Sequence, residues 1–337
     1  MSGKFDSYRK RAEAMGEDAK QRWIAAGESN SAVGVAEALY ARDKVAFGSV
    51  LGSAIALRLF LFIIPANVTV IALTQVLRFT HAFDESFQDS ITTGPMAKAL
   101  LGVSRTQALG IFLSGLFLTA WSGRSLARVL AASSGSSWGL TLTQAKQRMK
   151  SMAALILVVF GSVGANAIFS AVRDHTGVAL SFMVVLTVAA TFAVAWFVVL
   201  LTLPRNTTDP GALIPGALLF GVCYSLLNWF MQYYLPARVA RTSDTLGQMA
   251  TTVAVLGNFF FIGRLMSASF VLSAVLFERY GSVSHVVFGL PLIRKIPERS
   301  SWVRTYFALD HVPSPDAPLE SIEQELPLLP DDERPAT

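Results

Sequence analysis

Two arginines, Arg58 and Arg264, stand inside stretches that are otherwise apolar enough to lie in a lipid bilayer. A guanidinium is planar, permanently charged and shaped to grip a phosphate or a carboxylate through two parallel hydrogen bonds. Arg264 breaks the run from Leu246 to Phe277, 32 residues bounded by Asp244 on one side and by Glu278 and Arg279 on the other. The pieces flanking it, Met249 to Gly263 and Leu265 to Phe277, are each shorter than the roughly 20 residues a bilayer needs. If the run is one span, Arg264 sits within the membrane. A charge there costs roughly 2.5 kcal/mol or more and has to face a cavity, a partner or a ligand. The alternative is a tilted helix, about 48 Å long against a core of about 30 Å, whose arginine snorkels to the cytoplasmic headgroups. Arg58 has two readings as well, since Leu59 to Leu77 alone supplies 19 residues suited to a span and Arg58 then marks only its inner boundary.

Other polar groups share these stretches: Asn67, Gln75, Asn166, Asn228, Gln232, Gln248 and Asn258. Hydrogen bonding between helices is the ordinary use of each amide alone. Taken together the pattern is cation without anion, because no Asp, Glu or His falls within an apolar span. The candidate set for an anion or lipid headgroup is Arg264, Arg58, Arg124 and Asn258. Its structural alternative pairs arginine with Asp43, with Glu278 or with helix-end carbonyls. No Walker loop, HExxH helix or GxSxG elbow occurs, so no catalytic, metal or cofactor residues are assigned.

The elements that must position these side chains follow from composition. Hydrophobic residues make up 53% of 337 and charged residues 15%, against about a quarter charged in a soluble chain. The excess lies in blocks of spanning length, which predicts an all-α, polytopic membrane protein. A net charge of +5 is too modest to imply nucleic acid, and the lone Cys223 excludes disulfides within one chain. The first 48 residues carry 8 Lys/Arg and 7 Asp/Glu with no apolar signal region, so Met1 to Asn30 reads as a cytoplasmic arm. Ser31 to Phe47, with Val35, Leu39 and Arg42 at helical spacing, reads as an interfacial helix.

Six spans are expected, in a domain running from residue 49 to 281. They are Val50–Val76, Thr106–Gly123, Met152–Val172, Val178–Leu203, Gly211–Leu235 and Leu246–Phe277. Pro65 removes a hydrogen bond to the Leu61 carbonyl and is expected to kink the first. Ser125 to Lys150 reads as too hydrophilic to span, and Pro236 to Asp244 as a link. Asp209-Pro210 has the chemistry of a cap followed by proline at the first helical position. Gly48 with Gly52, and Gly216 with Gly221, read as points of close helix packing. Residues 282–337 form a C-terminal segment that turns rich in Pro, Asp and Glu from Pro313 and is expected to be disordered. With the N-terminus inside, 20 Lys/Arg fall on the inner side and 6 on the outer. That bias places both termini in the cytoplasm.

Several stretches together resemble the YihY/BrkB family of bacterial inner-membrane proteins. They are ARDKVAFGSVLGSAIALRLFLFIIP from Ala41, TAWSGRSLARVLAA at the end of the second span, IPGALLFGVCYSLL opening the fifth, and YYLPARVARTSDTLG through LSAVLFERYG around the sixth. The resemblance covers roughly Glu37 to Gly281. Leu246 departs from it, standing before Gly247 where many relatives carry an aromatic residue. The resemblance implies a six-helix membrane fold and a place in the envelope, compatible with handling a lipid or an envelope precursor. The family has also carried the label ribonuclease BN, which this chain does not support, since it has no cluster of metal-binding acids or histidines. The expected function is a transporter or flippase-like protein for an anionic amphiphile; the alternative is a scaffold or regulator acting through its cytoplasmic termini.

Overall fold

The computed structural model describes residues 31–78, 104–141, 150–155 apart from 152, 178–284, 288 and 300–311, with side chains over the same ranges except at 31, 74, 77–78, 178–185, 229 and 231–255. Among the described residues every regular element is helical. Helix α1 is Ser31–Val45, α2 Gly48–Arg78, α3 Arg105–Ser137, α4 Val178–Thr202, α5 Ile214–Tyr280 and the short α6 Ser301–Tyr306; a 3-10 turn, Pro210–Leu213, leads into α5. Among the described residues, three stretches are long and apolar enough to cross a membrane: Gly48–Leu73, Pro210–Asn228 and Leu256–Tyr280. They make this a membrane protein. The expected third span and the expected outer connection after α2 lie almost wholly outside the described residues, as do the N-terminal arm and the tail.

Helix α5 departs from the expected pair of spans. Its backbone stays helical through Pro236 to Asp244, the stretch that composition marks as a link. A straight helix of 67 residues would be about 100 Å long. Yet Gly216 lies against the backbone of Ser269, and a Cβ on Gly216 would collide with that carbonyl. The path of α5 must therefore reverse, so that a first arm carrying Gly216 lies beside a second arm carrying Ser269.

Helix α3 also outruns expectation. It starts where Gln107 Oε1 accepts from the backbone N–H of Ser104 at 3.1 Å. It then continues past Gly123 through the basic and serine-rich stretch as far as Ser137. That stretch is polar by composition but not by contact. Leu126, Leu130 and Ala131 are buried in the main core, and Ser133, Ser134 and Ser137 are buried beside them. Small hydroxyls can be buried because they bond to nearby carbonyls: Ser137 Oγ donates to Ser133 O at 2.8 Å and Ser134 Oγ to Pro204 O at 2.8 Å.

Antiparallel pairing of α2 and α3 is set by small residues and hydroxyls. Gly115 packs on Thr69, the Thr69 and Thr119 hydroxyls are 3.1 Å apart, and Ser136 Oγ donates to the Ala46 carbonyl at 3.3 Å. Thr69 Oγ1 also donates to the Pro65 carbonyl at 2.7 Å, one turn after the proline through which α2 runs unbroken. The second arm of α5 crosses the other side of α2, with the Phe60 and Phe259 rings 5.5 Å apart and Gly263 against the Gly52 carbonyl. Helix α4 and the first arm complete the bundle through an aromatic stack: Trp196 lies 4.6 Å from Phe220 and 5.8 Å from Phe270, and its Nε1 donates to Ser269 Oγ at 2.9 Å.

These contacts reveal a step. The start of α2, at Gly48 and Gly52, lies level with Arg264, whereas the first arm of α5 starts level with Ser269 and Ser273. The difference is five to nine residues of helix, or about 8–13 Å. Helix α1 fills that step, burying Ala38 and Ala46 against Val271 and Val275.

Candidate functional site

The turn between α1 and α2 places Phe47 at φ 51°, a left-handed conformation that costs a non-glycine residue on the order of 1 kcal/mol. The reversal it produces brings the last turn of α1 back over Gly48. A Cβ at Gly48 would collide with the Asp43 carboxylate, and one at Gly52 would press on the Arg264 backbone at 3.3 Å. Both glycines therefore act as close-packing points, as do Gly216 and Gly221.

Into this space come two ion pairs of opposite sense from adjacent residues of α1. Arg264 Nη1 donates to Asp43 Oδ1 at 3.0 Å and Nη2 to Oδ2 at 2.5 Å, a two-pronged pair. Arg42 Nη2 donates to Glu278 Oε1 at 2.6 Å, and its Nε donates to the Ser137 carbonyl at 3.1 Å. Arg42 thus ties α1 to the C-terminal ends of both α3 and α5, and the arginine side chain is only 3% exposed. The Arg264 side chain keeps 36% of its exposure.

Of the readings open to Arg264 from sequence, an unpaired cation or one paired with Asp43 or Glu278, the pair with Asp43 is the one present. The anion comes from Asp43 on α1, 221 residues away. Glu278, the other carboxylate open to Arg264 by sequence, belongs to Arg42 instead. One face of α1, carrying Gly34, Ala38 and Arg42, is buried in protein. In the sequence Arg42 stands out only as part of a helical spacing, and no local signal marks it as the link between three helices.

The other candidates are not gathered around Arg264. Arg58 and Arg124 are exposed, as is Arg128 one turn beyond Arg124, and none of the three forms a hydrogen bond or ion pair with another described residue. Asn258 is part-buried beside Phe259 in the second arm of α5, and its Oδ1 is buried without a hydrogen-bond partner among the described residues. Asn67 bonds within its own helix, to the Ile63 carbonyl at 3.0 Å.

Asp209 behaves as its motif foretells: Oδ1 accepts from Gly211 N at 2.7 Å with Pro210 at the first position of the turn. The structure adds that Asp209 is 0% exposed and that Ser284 Oγ donates to the same oxygen at 2.7 Å. This fastens the segment after α5 to the start of α5. A pocket of about 260 Å³ opens beside this point, with Phe197, Pro210, Ile214 and Phe307 among its walls and Arg264 outside it. Among the described residues no three His, Cys, Asp or Glu side chains gather as a metal site. No family model, curated protein or solved structure matches the chain.

Proposed function

We propose that the chain is a multi-pass protein of the bacterial inner membrane, with six spans and both termini cytoplasmic, that handles an anionic lipid or amphiphile in the manner of a flippase or transporter. The reading is of a non-enzymatic protein of the YihY/BrkB type. The observation that carries it is the two-pronged Arg264–Asp43 pair. A carboxylate occupies the guanidinium edge that a phosphate or carboxylate headgroup would use. The pair is partly open to its surroundings, so a headgroup can compete with Asp43 for the same donors. Binding then releases α1 from that point, while Arg42 still holds it to Glu278 and Ser137.

The test compares lipid retained after purification by wild type, Asp43→Asn, Arg264→Ala and Arg264→Lys. Freeing the guanidinium in Asp43→Asn should raise retention of anionic lipid, Arg264→Ala should abolish the increase, and lysine should restore only part because the fork is lost. Equal anionic lipid in wild type, Asp43→Asn and Arg264→Ala would defeat the reading. Topology has its own check: in a Cys223→Ser background, cysteines at Asp84 and Lys146 should label from outside and inside respectively.

A second reading has its own support. The double fastening of α1 through Arg42 and Asp43 closes one end of the bundle, as suits a scaffold or regulator whose termini engage other proteins. That reading expects all four proteins to retain the same lipids.

A further inference from the structure

We propose that the outward face of α3 is a docking stripe for one anionic phospholipid of the inner leaflet. Phe117, Trp121, Arg124 and Arg128 follow one another at spacings of four, three and four residues, which places them in one row along a helix. The row lies opposite the Gly115–Thr119 edge that packs on α2. Phe117 is 67% exposed and Trp121 71%, with their rings 6.3 Å apart. Arg124 and Arg128 are exposed one turn apart, and neither bonds to another described residue.

The chemistry along the row changes in a definite order. Two aromatic rings come first, flanked by the exposed Leu113 and Leu116, and two arginines follow toward the end of α3 that meets α1. Rings of this kind sit at the boundary between acyl chains and headgroups, and arginine just beyond them meets phosphate. Two guanidiniums with no carboxylate among the described residues bonded to them form a net charge of two, which selects a lipid with a net negative headgroup over a zwitterionic one. The stripe is on the opposite side of α3 from the α2 contact and stands whether or not the protein transports anything.

Native mass spectrometry in detergent, titrating dioleoyl phosphatidylglycerol against dioleoyl phosphatidylcholine, tests the assignment. Wild type should bind the anionic lipid the more tightly. Each arginine-to-alanine change should weaken that binding about five-fold, and Arg124→Ala/Arg128→Ala together about thirty-fold, with little change for the zwitterionic lipid. Arg124→Lys/Arg128→Lys should fall between, and it keeps the test informative if the alanine pair melts lower than wild type. Wild-type affinity for phosphatidylglycerol in the double alanine protein would overturn the proposal. So would an equal loss for both lipids, which marks a general lipid contact, or displacement by millimolar inorganic phosphate, which marks a site for the free ion.

Discussion

Arg42 and Arg264 each close on a carboxylate more than 200 residues away in sequence, and both lie where three elements converge. Arg58, Arg124 and Arg128 have the same side chain on helices α2 and α3, yet they point away from the bundle and hold no described partner. The two groups differ in what surrounds the backbone. Gly48, Gly52 and Gly263 thin the packing around Arg264 until α1 can reach it. Helix α3 carries Leu113, Phe117 and Trp121 on the face that bears its arginines, so nothing polar from the described protein approaches them. An arginine in an apolar run is thus assigned by its neighbours' size more than by the length of the run.

The comparison breaks most visibly at Arg42. Replacing it with alanine leaves Glu278 part-buried without its cation and the Ser137 carbonyl without its donor. Stranding one member of a buried pair costs about 3 kcal/mol or more, and the thermal midpoint in detergent should fall by the largest amount of any single change named here. Removing both charges in Arg42→Met/Glu278→Met should recover most of the loss. If Arg42→Ala melts no lower than Arg58→Ala, the two groups are not distinct.

Gly263→Val comes next. A Cβ at Gly263 would overlap the Gly52 carbonyl and sit 2.7 Å from Ala56 N, both of them backbone atoms that cannot swing aside. Overpacking of this kind costs roughly 1–3 kcal/mol. It should also separate α2 from α5 and weaken the Asp43–Arg264 pair. The thermal midpoint of Gly263→Val in detergent should fall below that of Gly257→Val, where a Cβ would meet nothing within 4 Å.

Much of this architecture is legible in local sequence. Three of the six apolar blocks coincide with long apolar helices among the described residues, and Asp209-Pro210 marks its own turn. The reach of α3 is not legible from hydropathy, because Ser133, Ser134 and Ser137 score as polar while their hydroxyls sit in the buried interior, those of Ser134 and Ser137 satisfied by carbonyls. The partner of Arg264 is legible only as one choice among several. Asp43 and Glu278 are both acids open to it by sequence, but Glu278 lies about 21 Å farther along the same helix, whereas the reversal at Phe47 brings Asp43 over Gly48 and onto Arg264. The step filled by α1 is invisible to any window along the chain, since it depends on how far α2 slides along α5.

A smaller effect is expected at Asp43. Its pair with Arg264 is two-pronged, but the arginine is 36% exposed, and solvent screening holds such pairs to about 1 kcal/mol or less. Asp43→Asn should therefore barely move the melting midpoint, well short of the shift for Arg42→Ala. A shift as large as that for Arg42→Ala would show that the pair is a structural anchor rather than an exchangeable one, and would weigh against headgroup competition at Arg264.

The smallest effect belongs to Arg58. It stands on the exposed face of α2 with Leu57 and Leu61 beside it, both also exposed, and no carboxylate among the described residues lies within bonding distance. Alanine there removes no paired charge and opens no cavity, so stability should change by no more than about 0.5 kcal/mol. The informative partner experiment is Arg58→Ala combined with Arg264→Ala. If the two guanidiniums served one headgroup, the loss of anionic lipid in the double protein would differ from the combined losses of the single ones. Independent losses would instead place them at separate sites, as expected from their positions: Arg264 faces Asp43 at the start of α2, whereas Arg58 looks outward more than two turns farther along it.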